Sequence, residues 1–177
     1  MGTAPNPPDV IARRLCDDGI YPNNPALPLL VYRSAFAAGD PDGIERVFAT
    51  NGWPPAWRFG VFGYHHYHGT AHEVLGCFTG SARIQFGGPE GPALEAEAGD
   101  VVILPAGTAH KCLEARDGFR CVGAYPTGQD PDMNTGRPGE HEAALERIAG
   151  VPVPAADPAY GEGGPMRSQW MMEGGRS

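Results

Sequence analysis

Turn-forming residues interrupt residues 58–125 so often that no long helix fits there. The interruptions are glycines next to glycine, proline or aspartate, and they separate short runs rich in branched and aromatic residues. Short strands between closely spaced turns are typical of a β-sandwich or β-barrel, so the sequence predicts an all-β fold. The predicted strands are residues 58–67, 73–79, 81–87, 93–97, 101–104, 109–115 and 119–125.

The chain as a whole fits one domain, because 177 residues are enough to enclose a single hydrophobic core. We expect a partly disordered N-terminal arm over residues 1–19 and a β-barrel core over residues 20–126. A C-terminal loop, short helix and wrapping tail should follow over residues 127–177. The proline-rich start and the final Glu-Gly-Gly-Arg-Ser favour disorder. Three apolar residues suit anchors for the tail: Tyr160, Met166 and Trp170.

Two short helices are predicted at the periphery of the sheet. Asp40 suits the N-cap and Pro41 the first helical position of a helix over residues 40–51. The second helix is predicted over residues 140–149, and a further short helix is an additional expectation near residue 12.

Two apolar runs predict how the strands are buried. The run Val101–Leu104 lacks alternation, so we expect it to be covered on both faces. Residues 29–36 are expected to form an apolar strand at the sheet edge, and such an edge favours a homodimer. Trp53 and Trp57 flank two prolines and either line the mouth of a substrate site or close one end of the core.

The charge balance argues against several function classes. A formal net charge of −8 disfavours binding to a phosphate backbone, and no run of eighteen apolar residues predicts a membrane span. The first residues do not resemble a signal peptide, so a cytoplasmic location is expected. Four cysteines without a C-x-x-C pair are then expected as reduced thiols. They are Cys16, Cys77, Cys112 and Cys121. Strand parity predicts that Cys77 and Cys112 face the interior. Packing as small buried side chains is the simpler role for both, and catalysis is the alternative.

Five of the six histidines lie in two glycine-bounded stretches, residues 60–80 and residues 99–110. His66 and His68 are two residues apart, so on an extended strand both rings project from one face. A turn after His68 allows Glu73 to return beside them. Imidazole and carboxylate groups together suit a divalent transition metal.

The spacing within these two stretches resembles the cupin family. The first motif is met by Gly60, His66, His68, Glu73 and Gly80, and the second by Gly99, Pro105, Gly107 and His110. The family often has Asn where this chain has Glu114, which is not a ligand position. Flanking segments such as NGWPPAW, HHYHGTAHEVLG and VGAYPTGQD resemble the YjlB-like branch of small bacterial cupins.

The resemblance implies a jelly-roll (double-stranded β-helix) barrel and a metal held by His66, His68, Glu73 and His110. Three nitrogens and one oxygen leave two positions free on a six-coordinate ion such as Fe²⁺, Mn²⁺ or Ni²⁺. A tetrahedral Zn²⁺ would be closed by the same groups, so the set favours the octahedral metals without choosing among them.

Other residues beside the motifs leave alternatives open. Alternation places His65 and His72 on the opposite face from the ligands, at the exterior or behind them. A bulge could turn His72 inward, which would give a four-histidine site without Glu73. Tyr64 and Tyr67 bracket the ligands; Tyr64 could orient a ligand, although core packing is the simpler role.

Two functions compete. The resemblance implies a small-molecule metalloenzyme of dioxygenase-like or isomerase-like type, and the rival is a non-catalytic module that binds or senses a small ligand. A second acid or base inside the barrel would favour the enzyme. An interior filled by the protein's own side chains would favour the module.

Overall fold

The computed structural model describes residues 5–171, which contain seven strands and three helices. In chain order they are β1 (Val10–Arg13), β2 (Leu29–Tyr32), α1 (Pro41–Thr50), β3 (Pro55–Phe59), β4 (Glu73–Phe86), β5 (Ala93–Glu97), β6 (Val101–Leu104), β7 (His110–Ala124), α2 (Glu140–Gly150) and α3 (Pro165–Met171). None of the helices within these residues combines the length and the apolar character needed to cross a bilayer.

All seven strands belong to one antiparallel sheet, so the predicted all-β fold is confirmed. The strand order is β1-β2-β6-β4-β7-β3, and β5 pairs with the second half of β4. The arrangement is compatible with a jelly-roll of the cupin kind. Within the described residues the sheet is not closed, because β1 and β3 stand at its two ends.

The sheet is covered on both faces, as the apolar run in β6 predicted. Val101 and Ile103 pack into a core cluster on the outer face, beneath α1 and α3. Val102 and Leu104 pack into a second cluster on the inner face. Alternating side chains of one strand therefore serve two separate cores.

Helix α1 docks directly against β4 in the outer core. Asp40 caps the helix by accepting a hydrogen bond from the Gly43 N–H, and Pro41 occupies its first turn, as predicted. Ile44 and Phe48 are buried against Gly76 of β4, where a Cβ atom would lie 2.5 Å from Ile44 Cγ2. The missing side chain at Gly76 lets the helix approach the sheet closely.

The predicted strand boundaries were wrong in two places. Residues 58–67 are not one strand, because β3 ends at Phe59 and the following segment pairs only through isolated bridges at His66 and Tyr67. The predicted breaks at 80 and 116–118 are internal to β4 and β7. Gly80 has a φ of +65° at a bulge that bends β4 without ending it.

The helix expected near residue 12 is instead β1, which pairs with β2 along its whole length. Strand β2 consequently lies inside the sheet, between β1 and β6, and is shorter than predicted. The edge-strand argument for a homodimer is therefore wrong, and the homodimer stays a prediction without that support. Asn6, within the expected disordered arm, also bonds to the backbone of Ser34 and Ala35.

The C-terminal tail wraps the outer core, as its apolar anchors predicted. Met166 and Trp170 are buried in α3, a helix that the Pro/Gly-rich sequence did not predict, and Tyr160 packs against the same cluster. Asp157 organises the turn before α3 by accepting hydrogen bonds from Tyr32 Oη and the Met166 N–H. The expected free end, residues 173–177, and residues 1–4 lie outside the described residues.

The close approach of α1 to β4 can be tested with Gly76→Ala. The added methyl group would collide with Ile44 and Phe48, so we expect a loss of about 1–3 kcal/mol in unfolding free energy. Chemical denaturation monitored by circular dichroism measures it. Gly150→Ala is the matched control, because no atom lies within 4 Å of its added Cβ. Equal stability of the two variants would contradict this packing.

Candidate metal centre

Three histidines converge at one end of the inner core. Ring nitrogens of His66, His68 and His110, one from each, lie within 4.8 Å of one another, and all three residues are buried. The Glu73 carboxylate joins them, with Oε2 at 3.2 Å from His110 Nε2 and 3.6 Å from His68 Nε2. These four residues, called the ligand cluster below, could hold a metal ion.

Backbone pairing brings the two motifs together. The N–H groups of His66 and His110 each donate to the other's carbonyl, at 3.2 and 3.0 Å. The Gly107 N–H donates to the His68 carbonyl at 2.7 Å. Gly107 has a φ of +92°, and a Cβ there would lie 2.4 Å from the Asn23 carbonyl oxygen. The glycine of the second motif is therefore required by backbone geometry and by space.

Each histidine of the ligand cluster is oriented by a carbonyl behind it. Nδ1 of His66 lies 3.2 Å from the Tyr64 oxygen, and Nδ1 of His110 lies 3.0 Å from the Thr108 oxygen. Nδ1 of His68 lies 2.5 Å from the Asp132 oxygen. A carbonyl oxygen only accepts, so each Nδ1 carries the proton and donates it. In the neutral rings the Nε2 lone pair is then free to bind a metal.

The charges in the ligand cluster depend on one another. Burial alone would raise the pKa of Glu73, but His68 and His110 hold it well below its usual value. Burial disfavours protonated His68, yet the charge and contact of Glu73 outweigh this and raise its pKa to about 9. Burial and the neighbouring His110 lower the pKa of His66 to about 3. At neutral pH Glu73 is thus ionised and His68 is protonated.

Trp57, Tyr125 and Oε1 of Glu73 form a chain of two hydrogen bonds. Tyr125 Oη donates to Glu73 Oε1 at 2.9 Å and accepts from Trp57 Nε1 at 3.1 Å. Oε2 is buried and accepts no hydrogen bond, although it faces two imidazole rings. A buried carboxylate oxygen that accepts no hydrogen bond and faces two imidazoles suits a cation.

The ligand cluster opens into a cavity of about 450 Å³ on the inner face of the sheet. All four residues of the cluster line it, together with Tyr125. The rest of its wall is mainly apolar and comes from β3, the segment after it, Leu75 of β4, and Met133. The space beside the cluster is therefore available to a small molecule.

The two remaining histidines of the first stretch lie apart from the ligand cluster. His72 is fully buried under α3, 4.8 Å from the Trp170 ring, and its Nδ1 accepts from the Ala106 N–H. Its predicted place on the opposite face is correct, and of the two positions suggested there, the exterior one does not apply because Trp170 of α3 covers the ring. His72 is not among the converging histidines, so the four-histidine alternative has no geometric support. His65 packs against Tyr21 instead.

Predictions for the neighbouring aromatic residues were only partly correct. Tyr64, for which core packing was the simpler expectation, is 48 % exposed and does not pack in the core, whereas Tyr67 is buried in a small core cluster. The two tryptophans divide the two roles suggested for them, since Trp53 fills the outer core and Trp57 lines the cavity.

The cysteine prediction is confirmed for Cys77, which is buried in the inner core opposite Cys121 of β7. Cys112 is only partly buried at the margin of the same cluster. Neither Cys77 nor Cys112 lines the cavity, so the inner position of Cys77 reflects packing.

Sequence reasoning missed two residues that hold the ligand cluster. Tyr125 follows Cys121 and Gly123 at intervals of two, so strand parity could have placed it on the inner face. Asp132 lies in a loop without a periodic pattern. Its backbone carbonyl accepts a hydrogen bond from His68 Nδ1, and its side-chain carboxylate accepts one from the Gly69 N–H. No signal in the sequence predicted these contacts.

Comparison with known proteins finds one close relative and no matching protein-family model. The relative is from Bacillus subtilis (strain 168) and carries the name "Uncharacterized protein YjlB". It is 43 % identical over 155 residues, which span 88 % of this chain and 93 % of the relative.

Replacing Tyr125 by phenylalanine should weaken metal binding without unfolding the protein. The change removes the hydrogen bond that orients Glu73 while keeping the ring, so we expect about a 10–100-fold loss of affinity. Competition with a chromogenic chelator measures it. Tyr64→Phe is the control, because Tyr64 contacts His66 through its backbone oxygen and its ring, and phenylalanine keeps both. The same loss in both variants would rule out an orienting role for Tyr125.

Metal binding at pH 7 should release about one proton per ion. The pKa of His68 is raised to about 9, so this ring is protonated at pH 7 and must lose its proton to bind a metal. Affinity should consequently rise with pH up to about 9 and then level off. Calorimetry in buffers of different ionisation enthalpy gives the number of protons. A value near zero, or affinity falling between pH 7 and 9, would contradict the pairing of His68 with Glu73.

Proposed function

This chain belongs to the same family as YjlB of Bacillus subtilis, and we propose that it is a metal-dependent cupin. The name of that relative states no activity, so the proposal depends on the site. Its metal ligands are His66, His68, Glu73 and His110. The motif spacing and the antiparallel sheet around the cluster support the cupin assignment.

One observation carries the proposal. One ring nitrogen from each of the three histidines and Oε2 of Glu73, which accepts no hydrogen bond, converge beside the cavity of about 450 Å³. A purely structural cluster would have no need of a cavity beside it. Three nitrogens and one oxygen favour a six-coordinate divalent ion, with Fe, Mn and Ni ahead of Zn.

The function that fits this site best is a small-molecule metalloenzyme of dioxygenase-like or isomerase-like type. A bound divalent ion would polarise the oxygen atoms of a substrate and stabilise negative charge on them. The chain itself provides the rest: Tyr125 orients Glu73, and apolar side chains of the cavity wall keep water away from the cluster. The interior is not filled by its own side chains, which also supports the enzyme.

A ligand-binding or sensing module is the second candidate, and one observation favours it. Outside the ligand cluster, Tyr125 is the described residue on the cavity wall that could act as a general acid or base. Its hydroxyl already forms hydrogen bonds with Glu73 and Trp57. No uncommitted general acid or base therefore lines the cavity among the described residues. A cytoplasmic homodimer remains our expectation for either function.

Metal analysis of protein purified without an affinity tag tests the proposal. We expect about one transition-metal ion per chain, and an oxygen-consumption screen with small organic compounds then separates the two candidates. Metal-dependent turnover supports the enzyme, and metal-dependent binding without turnover supports the module. Protein that binds no divalent transition metal on titration would refute both.

His110→Ala should lose most of the bound metal while the sheet stays folded. Its ring is one of the converging donors, but both cores of the sheet consist of other residues. The variant should lose only metal-linked stability, about 3–4 kcal/mol at several hundred to a thousand times the dissociation constant. Metal content and thermal unfolding with and without metal measure the two effects.

His72→Asn is the matched control for that variant. The Oδ1 atom of asparagine takes the position of Nδ1 and keeps an acceptor for the Ala106 N–H, and the change leaves the ligand cluster untouched, so metal content should match the wild type. If His72→Asn strips the metal while Glu73→Gln retains it, the carboxylate assignment is wrong and His72 is a ligand.

A further inference from the structure

The wall of the cavity has a uniform chemistry away from the ligand cluster. Its side chains are large and apolar: Trp57, Phe59, Val61, Phe62, Leu75 and Met133. Several of them reach the protein surface, since Phe59 is 54 % exposed and Met133 is 49 % exposed. Exposed apolar side chains grouped at the mouth of a cavity indicate a ligand with an apolar body.

The polar side chains on this wall are already engaged. The Tyr125 hydroxyl donates to Glu73 and accepts from the indole N–H of Trp57, so both side-chain donors are in use. Arg58 is paired with two carboxylates of α1, at 2.6 and 2.8 Å from the Glu45 oxygens and 2.5 Å from Asp42. These bonds use Nε and Nη2 of Arg58, so among the described lining residues outside the ligand cluster only the Nη1 group of Arg58, on a side chain 40 % exposed, has no side-chain partner.

The charges at the two ends of the cavity differ. At the floor, a bound divalent ion together with the Glu73 carboxylate would leave one net positive charge. Near the mouth, Arg58 pairs with Asp42 and Glu45, and the Arg120 guanidinium lies 5.8 Å from the centre of the Phe59 ring, so two cations and two carboxylates balance there. An anionic group is therefore favoured at the floor, and the mouth has no net positive charge that would favour a second one.

We propose that the cavity takes a small compound with an aromatic or branched aliphatic body and a single oxygen-bearing, singly charged end. The oxygen end is directed to the ligand cluster, and the body lies against Trp57, Phe62 and Met133. This assignment rests on the proposed metal site. Sugars and phosphorylated compounds fit less well, because most of their hydroxyl and phosphoryl oxygens would lie against apolar side chains along the wall.

A pair of benzoates of matched shape tests the proposal. 4-tert-Butylbenzoate and 4-sulfobenzoate share the same carboxylate. Their substituents at the 4-position have similar volumes, but tert-butyl is apolar and sulfonate is negatively charged. The protein is loaded with Ni²⁺, and binding is followed by calorimetry and by the fluorescence of Trp57, which lines the cavity. We expect 4-tert-butylbenzoate to bind at least about tenfold more tightly, because burial favours the apolar group and penalises an unpaired charge. Equal affinities, tighter binding of the sulfonate, or no binding of either would overturn the proposal.

Met133→Lys places a cation on the cavity wall and should reduce the preference or reverse it. Leu145→Lys is the matched control, since Leu145 is similarly exposed on α2 and does not line the cavity. It should keep the wild-type preference. An unchanged preference in Met133→Lys, with bound Ni²⁺ confirmed, would count against the assigned position of the ligand body.

Failure of this inference can be distinguished from failure of the metal site. Ni²⁺ content is measured first, and its absence refutes the metal site itself. If Ni²⁺ binds and the two benzoates do not differ, only the ligand class is wrong. His110→Ala supplies the third comparison, since loss of metal should weaken 4-tert-butylbenzoate binding by removing the partner of its oxygen end.

Discussion

The buried carboxylate of Glu73 is the interaction on which the site depends. A carboxylate at the first position of β4, in the centre of the sheet and 2 % exposed, is costly unless positive charge and hydrogen bonds surround it. His68 and His110 lie beside one oxygen and hold the pKa of Glu73 low, and Tyr125 donates a hydrogen bond to the other oxygen. Those partners come from three separate parts of the chain, so one buried charge requires all three to be correctly folded.

The outer core gives this arrangement its rigidity. Strand β4 pairs with β6 and β7 over the residues that follow Glu73, and α1 presses on the same stretch at Gly76. Helix α3 closes the outer face above His72, the neighbour of Glu73 in the sequence. Apolar packing on one face of the sheet thus fixes the polar ligands on the other, where a displacement of about 1 Å would separate the donors.

The residues of the ligand cluster could be predicted because their geometry is local. Two histidines at a spacing of two, and a glycine turn before His110, specify directions that hold in any extended backbone. The all-β class and the burial of β6 on both faces also follow from patterns within one segment.

Contacts between distant segments could not be predicted in this way: β1 pairs with β2 across a loop, and Asp132 contacts His68 from 64 positions away in the sequence. The helix α3 was missed because its stability comes from Met166 and Trp170 in the outer core, in a segment where glycine and proline disfavour a helix.

The apolar wall and the charged floor of the cavity form one connected unit. The indole ring of Trp57 is part of the wall, while its N–H donates to Tyr125 Oη, which in turn donates to Glu73 Oε1. Hydrogen bonds shielded from water by apolar side chains are stronger than exposed ones, so the wall strengthens the support of the carboxylate. The same wall raises the cost of leaving Glu73 without a positive partner. Protonated His68 is one such partner. A divalent cation bound at the same position would carry more positive charge and would attract the carboxylate more strongly. The low polarity of the cavity therefore favours both the binding of a cation at its floor and an apolar body above it.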